Sequence, residues 1–136
     1  AAARRRRPHA HIVVSDIGDG VPFRSPFDVV LATNVIEHLP EPERAADHLA
    51  SAVRPGGVLV LHLPTINNAV NRWIYNHSYA ADPTHVYRPS GADVNRLFKQ
   101  AGFRTVYSLY SPFWPASLWR MIKLHPAYLA VYERTV

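Results

Sequence analysis

A layered α/β fold built on a parallel sheet is predicted by three features of the sequence. Phe27, Val29, Val30, Leu31 and Ala32 form an apolar run without the every-second-residue alternation of a half-wet strand, which suits a strand covered by helices on both faces. A helical stripe and a second apolar run, Val58 to Leu63, follow it, as a parallel crossover requires. Polar residues then gather at one place: Thr33, Asn34, Glu37 and His38 come just past the first run, at the carboxyl end of the strand, where open α/β sheets put their ligand crevices.

Each element has a local reason. His11 to Asp16 is a short apolar stretch expected to be a strand with Asp16 at its carboxyl end, and Gly18 to Pro26 is a turn-rich connector. Pro42 between Glu41 and Glu43 opens a helix, because its φ is preset for a first turn and both carboxylates favour the positive end of the helix dipole. Ala45, Ala46, Leu49 and Val53 make its apolar stripe, and Arg54 to Gly57 ends it. Asn67 or Asn68 starts a helix over Ala69 to Tyr79, with Val70, Trp73, Ile74 and His77 on one face. Ser90 and Asp93 form a capping box for a helix carrying Val94, Leu97, Phe98 and Ala101, closed by Gly102. Phe103 to Tyr110 is a strand, Ser111 to Leu124 a loop and short helix, and Pro126 to Glu133 a last strand of period two, making five strands in all.

At 136 residues and 48% hydrophobic content the chain reads as a single domain over 1–136, with no apolar run of membrane-spanning length. The net charge of +5 is concentrated in Arg4 to Arg7, a run read as a solvated helix end or linker and not as a nucleic-acid tail. The absence of cysteine excludes disulfides, thiolate catalysis and zinc-thiolate sites, and fits a cytoplasmic protein. No signal peptide is expected, since no apolar segment follows the arginines.

The strand Phe27 to Ala32, the run Val35 to Leu39, and the helix closed by Leu49 to Leu59 with its Arg-Pro-Gly-Gly resemble the class I S-adenosylmethionine-dependent methyltransferases, especially the small-molecule group related to ubiquinone-biosynthesis enzymes. Asp82 to Tyr87 and Ala101 to Phe103 are similar to later segments of that family, so the resemblance runs from about His11 onward. It implies a Rossmann-like sheet with helices on both faces, and methyl transfer from S-adenosylmethionine to a small-molecule acceptor. The last strand would be inserted antiparallel beside the Val58 strand.

By resemblance Asp16 and Ile17 bind adenine, and Asn34 and Val35 line the cofactor crevice; Asp16 also reads as the cap of the Gly18 to Gly20 turn. Glu37 borders the acceptor, and Trp73, Tyr75 and Tyr79 contact a flat or greasy one, although aromatics at helical spacing also serve as core. His38 and His85 are candidate general bases, and His38 reads equally as a helix-start histidine bonded to backbone. With Asn34 where a second acid would stand, the carboxylates are too few for a hard cation such as magnesium, and no metal is assigned.

The sequence holds no Gly-x-Gly-x-x-Gly, so the family's first two strands and its glycine-rich loop are missing from it. The sheet is therefore expected to be incomplete, with a bare edge on the Phe27 strand that invites self-association. The isolated chain is expected to bind S-adenosylmethionine weakly or not at all. The alternative is a non-catalytic interaction module derived from such an enzyme.

Overall fold

The computed structural model describes residues 10–79, 82–110 and 126–135. Four strands form one sheet in the order β1-β2-β4-β3: β1 is Phe27–Thr33, β2 Val53–Pro64, β3 Phe103–Leu109 and β4 Ala127–Arg134. β1 and β2 are parallel, and β4 runs antiparallel between β2 and β3. Among the described residues the helices are α1, Pro42–Ala52; α2, Ala69–Ser78; and α3, Gly91–Gln100, with a 3-10 turn at Ile36–His38. The Ser111 to Leu124 loop and the Arg4 to Arg7 run lie outside the described residues.

The core sits between the sheet and the helices α1 and α3. Ala32, Leu59, Leu61, Leu63, Ala130 and Tyr132 meet Ala46, Leu49, Val94 and Phe98 in one buried cluster. Alternation along β2 and β4 follows the pleat, with Leu59, Leu61 and Leu63 fully buried while Val58, Val60 and His62 are half-buried. Asn95 of α3 anchors the polar tips of that core, its Oδ1 accepting from the hydroxyls of Tyr128 and Tyr132 at 2.8 Å each. Burial pushes the Tyr132 hydroxyl far above its ordinary range, so it stays a donor.

Three expectations change. His11 to Asp16 is not a strand: the segment joins neither edge of the sheet, and Val14 is 99% exposed. The described strands therefore number four. β1 is not covered on both faces, since Val29 and Leu31 are 60% and 67% exposed and only Val30 and Ala32 turn to the helices. Its outer edge pairs with nothing among the described residues.

The third change concerns α2, which buries Asn71 and Tyr75 and leaves Val70 and Trp73 exposed. A polar network decides that face. Asn68 caps the helix by accepting from the Asn71 N–H at 2.8 Å, and the Asn71 Oδ1 accepts from the Asn67 N–H at 2.9 Å. Turning Asn71 outward would strand these buried groups, a larger loss than exposing part of an indole.

α3 carries the predicted capping box, the Ser90 Oγ accepting from the Asp93 N–H and the Asp93 carboxylate accepting from the Ser90 N–H. The Ser90 hydroxyl and backbone bonds hold the Asp93 carboxyl below its ordinary range. Their stabilisation is thus complete above the unfolded-state pKa and is lost as pH falls through the lower folded value. The expected result is a melting temperature that drops below about pH 4 in the native protein and drops less in Asp93→Asn, followed by circular dichroism.

Candidate active site

Strand β1 delivers its chain to the carboxyl edge of the sheet and turns sharply there. Asn34 takes a left-handed φ of 52°, a conformation that asparagine tolerates better than most residues. Two bonds to β2 hold it: its N–H donates to the His62 carbonyl at 2.8 Å, and its Oδ1 lies 3.0 Å from the His62 Nδ1. The 3-10 turn that follows places Glu37 inward, with no exposed surface. A second segment closes over it, the Tyr87 N–H donating to the Glu37 carbonyl at 3.0 Å and so bringing His85 alongside.

Glu37, His38 and His85 converge, with one candidate donor atom from each lying within 4.8 Å of the others. Neither carboxylate oxygen of Glu37 has a hydrogen-bond partner among the described residues. Burial pushes its carboxyl above the ordinary range, against the pull of its backbone and of the two histidines. The His38 and His85 ring centroids are 4.7 Å apart, and Tyr79 stacks over His85 at 6.3 Å.

The proton on His38 can be placed by elimination. The Thr84 Oγ1 donates its single hydrogen to the Asp82 Oδ1 at 2.6 Å, and the Thr84 N–H donates to the same oxygen at 2.9 Å. The His38 Nδ1, 2.7 Å from the Thr84 Oγ1, must then be the donor in that contact. In the neutral ring the Nε2 then carries the lone pair. The Thr84 bonds hold the Asp82 carboxyl below its ordinary range, keeping the end of this relay anionic. His85 is oriented by the Tyr75 hydroxyl, 3.3 Å from its Nδ1.

Asp16 lies at the same end of the sheet. It lines a cavity of about 260 Å³ together with His38, Leu39, Glu41 and Arg44. Its Oδ1 accepts from the Gly18 N–H at 2.8 Å, so the turn-capping role holds, while its other oxygen has no partner among the described residues. Ile17 and Val35 line an apolar groove of about 310 Å³ with Val21, Phe23 and Leu31, and the Ile17 carbonyl is fixed 2.8 Å from the His48 Nδ1. Asp16 and His38 thus line one hollow, Ile17 and Val35 line another that runs along β1, and Asn34 forms the turn between β1 and the 3-10 turn.

Trp73 stands apart from this constellation. It lines a separate groove of about 430 Å³ with Ile66, Asn68, Arg72 and Asn76, and packs on His77 with centroids 4.5 Å apart. Thr84 and Asp82 are site residues that the sequence did not single out, while Tyr75 was expected there as an acceptor contact and instead orients His85.

A parallel β1–β2 pair, an antiparallel strand inserted beside it, and polar residues at the carboxyl edge define a class I S-adenosylmethionine-dependent methyltransferase sheet. The chain belongs to the methyltransferase domain family, whose profile matches residues 2–108. It is 34% identical over 64 residues to a trans-aconitate 2-methyltransferase of Variovorax paradoxus, covering 47% of this chain and 25% of that protein. A trans-aconitate 2-methyltransferase of Rhizobium leguminosarum is 36% identical over 63 residues, 46% of this chain and 24% of that protein. The chain therefore spans about a quarter of the length of these curated relatives. In fold it is similar to an S-adenosylmethionine-dependent methyltransferase of Clostridium acetobutylicum, with a TM-score of 0.72 at 8% identity, covering 99% of this chain and 69% of that one. Among the described residues no helix is long and apolar enough to cross a membrane.

Proposed function

We propose that this chain forms the acceptor side and the adenine end of a methyltransferase that acts on a small molecule bearing a hydroxyl or amine. The observation that carries the reading is the shared cavity at the carboxyl edge, which Asp16 and His38 line together. Asp16 would accept from the adenine amine, Ile17 and Val35 would cover its apolar faces, and Asn34 would shape the crevice wall. Bound there, S-adenosylmethionine supplies an electrophilic methyl group. His38 Nε2 takes the acceptor proton, and the charge that forms on the ring is held by Thr84 and the Asp82 carboxylate behind it. Glu37, His85 and Tyr79 border the acceptor and fix its approach, since alignment of nucleophile and methyl carries most of the rate.

The test pairs binding with turnover in the protein. Asp16→Ala is expected to weaken S-adenosylmethionine binding in calorimetry by about tenfold, the worth of one good hydrogen bond. His38→Gln is expected to leave binding intact and to lower methyl transfer by about a hundredfold or more. Unchanged affinity in Asp16→Ala would overturn the adenine assignment. The 136 residues alone, without a glycine-rich loop, are expected to bind weakly.

A second reading rests on the bare flank of β1. Val29 and Leu31 stand exposed beside Phe23 and Phe27, whose rings meet edge to face at 5.1 Å. Such an edge pairs with another strand or with a second copy. Light scattering of the chain is expected to show self-association that Leu31→Lys suppresses; a monomer at all concentrations removes this reading.

A further inference from the structure

The two faces of α2 differ in chemistry. Ala69, Arg72, Trp73 and Asn76 fall on one helical stripe, opposite the Asn71 and Tyr75 that the helix buries. With Ile66 and Asn68 this stripe walls the groove of about 430 Å³ that stands apart from His38 and His85. Ala69 is small and leaves the space open, while the Trp73 indole, 63% exposed, forms a flat wall with the His77 ring packed against it.

The polar groups of this stripe are unspent. The Arg72 guanidinium, the Asn76 amide and the Trp73 indole N–H have no hydrogen-bond or ion-pair partner among the described residues. The sequence has no Asp or Glu between Asp47 and Asp82, so α2 holds no acid that could neutralise Arg72. Asn68 already caps the amino end of the helix, its Oδ1 accepting from the Asn71 N–H, so the charge left for a ligand is that of the guanidinium.

We propose that this groove binds a flat ring carrying an oxyanion, as in a nucleoside monophosphate or an aromatic carboxylate. A guanidinium pairs with phosphate or carboxylate through two parallel hydrogen bonds, and an indole face takes a ring by stacking. Arg72 and Trp73 are neighbours on the stripe, so one ligand reaches both, and Asn76 adds a donor and an acceptor for the ring's polar edge. The groove's volume lies in the range of small-molecule sites. Trp73 lies about 200° around the helix from Tyr75, which orients His85, so this ligand and the methyl acceptor sit on different sides of α2. The inference goes beyond the methyl-transfer reading, and neither requires the other.

The experiment is titration of the protein with uridine monophosphate and, separately, with naphthoate, followed in proton–nitrogen spectra. A saturable shift of the Trp73 indole N–H, assigned by its loss in Trp73→Leu, is expected, and the anion that binds more tightly identifies the source. The same ring without its charge, as uridine or naphthalenemethanol, should bind at least about tenfold more weakly. Arg72→Gln should show a similar loss, and so should Trp73→Leu, read at the Asn76 side-chain amide. Both side chains are exposed, so the variants keep the fold, which their melting temperatures check. Asp16→Ala, which tests the adenine assignment, should leave this binding unchanged. No saturable shift with either anion would overturn the proposal. So would a shift that Arg72→Gln leaves as it was, or one that moves the His38 and Tyr79 resonances and not that of Trp73.

Discussion

Replacing Phe98 with alanine is expected to remove about 3–5 kcal/mol of folding stability, enough to unfold a large share of the molecules at room temperature. Phe98 has no exposed surface and is gripped on two sides, 5.0 Å from the Tyr132 ring and 5.8 Å from that of Phe103, measured between centroids. It is the point where α3 meets β3 and β4, so no neighbouring side chain can collapse into the space without moving a strand. Phe98→Leu keeps most of the volume and should cost much less, about 1.5 kcal/mol. Urea denaturation followed by tryptophan fluorescence measures both; equal midpoints for the alanine variant and the native protein would mean that α3 is not packed as described.

The second large effect is expected at Gly57. A Cβ there would stand 2.9 Å from the Arg54 carbonyl oxygen, 2.9 Å from the Val53 Cγ1 and 3.0 Å from the Asp28 carbonyl oxygen. Two of the three are backbone atoms that hold the start of the β1–β2 ladder, so they cannot swing away as a flexible side chain would. The register explains the crowding: Phe27 faces Val53 and Val29 faces Val58, so β2 spends extra residues in a bulge that folds back on itself. Gly57→Ala is expected to cost about 1–3 kcal/mol, read as a lowered urea midpoint, together with faster hydrogen exchange at the amides of Val29 and Val30. Gly20, at φ 123° with nothing within 4 Å of its added Cβ, is the contrasting case, in which the chain direction and not space is at stake.

Much of the layered plan was legible, because the pattern that sets it is local. The capping box at Ser90 and Asp93, the proline start of α1 and the period-two run of β4 each state their element within a few residues. What escaped were outcomes decided at a distance. Whether Val29 and Leu31 are covered depends on what packs over β1, which five apolar letters cannot report. Whether His11 to Asp16 is a strand depends on a neighbour to pair with. The face of α2 was misread because apolar spacing was weighed against nothing, whereas Asn71, buried and bonded to Asn67 and Asn68, outweighs Trp73. At the site, Glu37, His38 and His85 were named from residue type, but only the fold shows that Thr84 and Asp82 fix the tautomer of His38.

β4 is the last described strand in the chain and yet lies in the interior of the sheet, with β2 on one side and β3 on the other. A polypeptide emerging from the ribosome therefore has β2 and β3 in hand well before the piece that bridges them, and must hold their open sides apart until residues 127–134 leave the exit tunnel. During translation the molecule is a set of unfinished halves that chaperones would have reason to shield, and a premature stop that loses this segment removes the joint of the sheet and not a trimming at its margin.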